Sequence, residues 1–130
     1  MIDLLQQARA AEKAQALFYR ALAAQAEERG DAALSERFNE LHADEQHHVS
    51  RLTARLLELG AAPDELAASS GLVAMDGWED AARAREEDEV RRYEALLEAE
   101  MDEATRALVR EILETERHHA AELGGKWTTA

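Results

Sequence analysis

Not one cysteine occurs among the 130 residues of this chain. Disulfides, zinc ribbons, rubredoxin-type iron sites with four cysteine ligands and cysteine-bound iron–sulfur clusters are therefore excluded from the sequence. Proline occurs once, at Pro63, and aromatic residues make up only 5% of the chain. β-Branched residues are also sparse. The 46% of hydrophobic residues is mostly Ala and Leu, set among many Glu and Arg, all of them strong helix formers. An all-helical domain follows, and the length suits one domain, residues 1–130, with a core of its own. Positive charge is in short supply, 15 Lys and Arg against 28 Asp and Glu for a formal net charge of -13. That balance argues against a nucleic-acid partner, which would be bound through its phosphates. No apolar stretch approaches the roughly 20 residues of a membrane span. The start, Met1-Ile2-Asp3-Leu4-Leu5, lacks the basic region of a signal peptide. The expectation is a cytoplasmic protein with no membrane partner.

Helical periodicity runs from about residue 2 to 29, where Gly30-Asp31 supplies a stop and then an N-cap. A second helix is expected over about 32–59, ending at Gly60. The segment Gly60–Gly77 holds Pro63, Ser69, Ser70 and Gly71 and reads as a long connection with room for a short helical turn. A third helix is expected over 78–101 and a fourth, N-capped by Asp102, over 103–123, stopped by Gly124-Gly125, with a frayed tail from Lys126 to Ala130. Short 1–2 and 3–4 connections make two antiparallel hairpins, joined by the long middle one into a four-helix bundle. The hairpins also repeat each other. Glu12 laid on Glu86 carries Tyr19 onto Tyr93 and Leu22 onto Leu96. Glu45 laid on Glu116 carries Leu41 onto Ile112, His48 onto His119 and Leu52 onto Leu123.

Residues spaced three and four apart share a helix face. On the second helix that face reads Leu34, Phe38, Leu41, Glu45, His48, Leu52, Leu56, Leu59, and on the fourth Val109, Ile112, Glu116, His119, Leu123. Each is apolar but for one Glu-x-x-His. The first helix reads Leu5, Ala8, Glu12, Gln15, Tyr19, Leu22, Ala26, and the third Ala82, Glu86, Glu89, Tyr93, Leu96. At about 1.5 Å per residue, Glu12 and Glu45 both lie ~20–27 Å from their turn, and the second hairpin gives similar distances. Five glutamates and two histidines are thus expected at one level of the bundle.

Clustered buried carboxylates are costly unless something neutralises them. Two divalent cations would do so, and oxygen and nitrogen donors without sulfur suit iron, with manganese as the alternative. Two Glu-x-x-His motifs plus a Glu on each other helix make the donor set of dinuclear carboxylate bundles. One such motif in an acidic chain is weak, and Asp44 and His47 make a similar pair. The repeat decides for Glu45, His48, Glu116 and His119, because His118 has Thr115 at that spacing. The expected metal ligands are Glu12, Glu45, His48, Glu86, Glu89, Glu116 and His119. For Glu89 the bland alternative is a solvated acid. His42, His47 and His118 are expected on the surface or just outside the ligand set. Trp78 and Trp127 are expected as packing or interface residues. Tyr19 and Tyr93 serve either the core, with satisfied hydroxyls, or the site.

With Glu12, Tyr19, Glu45-x2-His48, Glu86-x2-Glu89-x3-Tyr93 and Glu116-x2-His119 in place, the chain resembles a rubrerythrin of the ferritin-like superfamily from about Leu5 to Leu123. Glu89 is what points to rubrerythrin rather than ferritin. The resemblance implies a di-iron peroxidase that reduces hydrogen peroxide. It implies that Glu45 and Glu116 bridge the irons, that Glu12 and Glu86 are terminal ligands, and that His119 holds one iron permanently. The other iron would move between His48 when reduced and Glu89 when oxidised. Glu89 and His48, with Tyr19 and Tyr93 beside them, are thereby the candidate catalytic residues. The usual family member carries a C-terminal rubredoxin domain, whereas this chain stops at Ala130 without a cysteine, so a separate electron-donor protein is expected. The rivals are a ferritin-like iron oxidase using dioxygen, a dimanganese catalase, a metal-storing or purely structural bundle, and an oxygenase with an organic substrate. The repeat and the long connection also predict a homodimer, in which a hairpin can swap between chains.

Overall fold

A computed structural model of the chain describes residues 1–123. The fold is all-α, of the ferritin-like four-helix class, with no strand among the described residues: α1 (Ile2–Glu28), α2 (Ala32–Glu58), α3 (Trp78–Leu96) and α4 (Glu103–Leu123). Gly124-Gly125, Trp127 and the expected frayed tail lie outside the described residues. The helices form two compact units. One, Ile2–Asp76, is the α1–α2 hairpin with the connection that follows it, and the other begins at Gly77 and contains the α3–α4 hairpin. Within each unit the two helices pack along each other.

The first hairpin turns at a glycine whose geometry explains the short loop. Gly30 has φ +74°, a left-handed conformation that side chains disfavour. Asp31 N–H donates to the Ala26 carbonyl at 2.9 Å and Gly30 N–H to Glu27 at 3.0 Å, the paired bonds of a Schellman stop. Asp31 then caps α2, its Oδ1 accepting from Leu34 N–H at 3.1 Å. Gly60 (φ +81°) ends α2 in the same way. The interface is further tied by Ser35 Oγ donating to the Ala23 carbonyl and by His42 Nδ1 lying 2.9 Å from the Ala16 carbonyl.

The connection after Gly60 contains no helical turn. It is pinned instead by side chains of α1. Gln6 donates to Ala62 O at 2.9 Å and accepts from Asp64 N–H at 3.0 Å, and Arg9 donates to Asp64 O at 2.7 Å. Met75 buries its side chain.

In the second hairpin α3 stops at Leu96, five residues before the expected Met101. Leu97, Glu98 and Ala99 are good helix formers, yet the chain tightens here, Glu98 N–H donating to Ala95 O at 3.1 Å and Ala99 N–H to Leu96 O at 3.0 Å. A tertiary contact holds this turn. Arg106, on α4, donates from Nη1 to Leu97 O at 2.8 Å and from Nη2 to Ala99 O at 3.1 Å, holding the carbonyls of a tight turn. Asp102 caps α4 as expected, accepting from Thr105 N–H at 3.2 Å and Thr105 Oγ1 at 2.6 Å. Replacing Arg106 by Ala removes two charge-assisted bonds, and urea denaturation should show a loss of about 1–2 kcal/mol. An unchanged unfolding midpoint would mean the turn holds itself.

Candidate metal centre

Each helix presents its stripe as the sequence predicts. Every stripe residue of α1, α3 and α4 is buried; on the second stripe only the outermost two, Leu34 on α2 and Leu59 just after it, are half-buried. The acids that interrupt the stripes are buried with them. Glu12, Glu45, Glu86 and Glu116 are all 0% exposed, and His119, His48 and Glu89 are 2, 4 and 5% exposed. A solvated helix face is thus ruled out for all seven, Glu89 included.

The two hairpins build the same cluster. In the first, His48 Nδ1 on α2 stands 3.2 Å from Glu12 Oε1 on α1 and 3.6 Å from Glu45 Oε1 one turn back on its own helix. In the second, His119 Nδ1 on α4 stands 3.4 Å from Glu86 Oε2 on α3 and 3.4 Å from Glu116 Oε1 one turn back. One ligand atom from each of Glu12, Glu45 and His48 lies within 4.8 Å of the other two, and the same holds for Glu86, Glu116 and His119. The spacing is dictated by the helix: three residues bring Glu and His to the same face, and the neighbouring helix supplies a carboxylate opposite.

Each cluster offers two carboxylates and one imidazole, a hard to borderline donor set that suits iron or manganese and contains nothing soft. In the metal-bound state the facing imidazole nitrogen must lack a proton. Burying such sets without a cation costs free energy, and a cation at each cluster offsets that cost.

Around the clusters lie the other expected residues. Tyr19 and Tyr93 are fully buried. Tyr19 Oη accepts from Gln15 Nε2 at 3.4 Å. Glu89, one turn after Glu86, has Oε1 3.6 Å from Nε of Arg92, a partner that the stripe pattern does not reveal. The remaining histidines stay out of the clusters. His42 is half-buried and bonded to a backbone carbonyl, His47 is exposed, and exposed His118 pairs with Glu122 at 3.2 Å. Trp78 is half-buried as the first residue of α3.

An all-α chain of ferritin-like class whose hairpins each bury a Glu2His cluster is a carboxylate- and histidine-type metalloprotein, and the clusters fit a di-iron site. The chain belongs to the rubrerythrin family, whose model, Rubrerythrin, matches residues 3–124. No curated protein matches it. No described helix is long and apolar enough to cross a membrane.

Proposed function

We propose that the chain is a non-haem di-iron peroxidase that reduces hydrogen peroxide. Glu12, Glu45 and His48 from one hairpin and Glu86, Glu116 and His119 from the other would hold two iron ions. The observation that carries the reading is the burial of Glu89. Glu89, one turn from Glu86, is a fifth buried carboxylate, an anionic group beyond the four carboxylates and two imidazoles of the two clusters.

A bound ferrous pair supplies the Lewis acidity and the two electrons that, with two protons, convert peroxide to two waters. The residues themselves do the rest. The glutamates hold charge, each buried on a helix stripe that is otherwise mostly apolar. His48 and Glu89 are alternative ligands, one neutral and one anionic. The phenols of Tyr19 and Tyr93 hold protons among the buried residues. With no cysteine in the sequence for a rubredoxin-type carrier, electrons come from a donor protein outside these residues.

Stopped-flow mixing tests the reading. Anaerobically iron-loaded protein should be oxidised far faster by hydrogen peroxide than by dioxygen. Dioxygen winning would make the chain a ferritin-like iron oxidase, and failure of both would leave a metal-binding protein without turnover.

The chain also forms a homodimer under this reading, with hairpins exchangeable through the Gly60–Gly77 connection. Light scattering at micromolar concentration should give twice the 14.5 kDa chain mass; a monomer mass refutes it.

A further inference from the structure

The arginines of this protein mostly pair with acids at the surface. Arg37, Arg55 and Arg83 each meet an acid three residues away on the same helix, and those acids, Glu40, Glu58 and Asp80, are 56, 64 and 91% exposed. Arg92 differs. Its Nε is 3.6 Å from Oε1 of Glu89, whose side chain is only 7% exposed, while Arg92 itself is 40% exposed. A half-solvated cation is thus coupled to a buried carboxylate, one turn from Glu86 of the second cluster. The neighbouring cations are otherwise engaged, Arg91 with Asp88 and Arg117 with Glu94.

The internal repeat supplies a control. At the offset that lays Glu12 on Glu86, Gln15 falls on Glu89 and Phe18 falls on Arg92. Where the carboxylate is replaced by a neutral amide, the cation is replaced by a phenyl ring, buried at 4% exposure. Carboxylate and cation are present together in one hairpin and missing together in the other. An ordinary surface pair gives no reason for that coincidence.

We propose that Arg92 is a positioning residue that holds the Glu89 carboxylate in competition with the metal, and so sets how strongly Glu89 favours the oxidised centre. The proposal rests on the reading of Glu89 as an iron ligand. A carboxylate shared with a guanidinium is a weaker donor than one without that partner. Ferric iron gains more from an anionic donor than ferrous iron does. Arg92 therefore disfavours the ferric state, and removing it should stabilise that state and lower the midpoint potential. The effect is modest because Arg92 is partly solvated.

Redox titration of iron-loaded parent, Arg92→Gln, Glu89→Gln and the double variant tests this. Iron content should be equal in all four, and Arg92→Gln should shift the ferric-to-ferrous preference about threefold, which lowers the midpoint by ~28 mV at 59 mV per tenfold for one electron. In the Glu89→Gln background the same change should move it by less than ~10 mV on that scale, since no carboxylate remains to be released. Arg92→Lys, which keeps the charge, should fall between parent and Arg92→Gln. An unmoved potential in Arg92→Gln overturns the proposal. So does an equal shift with and without Glu89, which is the signature of a general field from a nearby cation. In both cases the di-iron reading stands if the proteins load iron, whereas a parent that takes up no iron overturns both.

Discussion

Ferrous iron added anaerobically to saturation should raise the unfolding free energy by about 2.7 kcal/mol for each independently bound ion at a hundredfold excess over its Kd. For a chain of this size the melting temperature should rise by roughly 10 °C or more. The cause is the cost of burying Glu12, Glu45, Glu86 and Glu116, all 0% exposed, beside His48 and His119. An unfolded chain presents no such preassembled clusters, so ligand binding is linked to folding. The matching variant replaces those six residues by Leu. It should melt at least as high as the metal-free parent, because buried ionic groups often stabilise less than apolar residues of similar volume, and iron should no longer move its transition. Equal melting temperatures for parent with and without iron would contradict a buried metal site.

Replacing Glu89 by Gln should preserve iron loading while slowing oxidation by peroxide at least about tenfold, a loss of ~1.4 kcal/mol in transition-state stabilisation. Loading survives because each hairpin keeps its own Glu2His cluster. The rate should fall because, under the proposed function, the oxidised and more electron-poor centre would lose an additional anionic donor. The repeat counterpart of Glu89 is Gln15, so the variant makes the two hairpins alike at this position. Glu87, exposed on the same helix, is the control: Glu87→Gln makes the same change of charge and should leave the rate alone. A Glu89→Gln protein that reacts as fast as its parent would make Glu89 a bystander and favour iron oxidation by dioxygen.

The clusters were legible in the sequence because helical periodicity is strict. A stripe of Leu, Phe and Ile with one Glu-x-x-His in it forces those two residues inward, and the repeat separates Glu45 and His48 from the nearby Asp44 and His47. The same regularity located the caps at Asp31 and Asp102 and the stop at Gly30. What stayed hidden depends on contacts distant in the chain. The turn at the early end of α3 is held by Arg106 reaching back to Leu97 and Ala99. The path of the Gly60–Gly77 connection is set by Gln6 and Arg9 of α1, more than fifty residues earlier. The bond from His42 to the backbone of α1 is a contact that its place in the sequence does not reveal. The Arg92–Glu89 pair has the spacing of any surface helix pair; the burial of Glu89, and Gln15 and Phe18 at the matching positions of the first hairpin, set it apart.

Iron counting tests the central claim most directly. Apo protein titrated anaerobically with ferrous iron, desalted and analysed for metal and protein should carry two iron ions per chain. Glu45→Ala together with Glu116→Ala should carry none after the same treatment, since each hairpin then loses the carboxylate one turn before its histidine. Repeated values of one or zero in the parent, or two in the double variant, would contradict a dinuclear centre built from these residues.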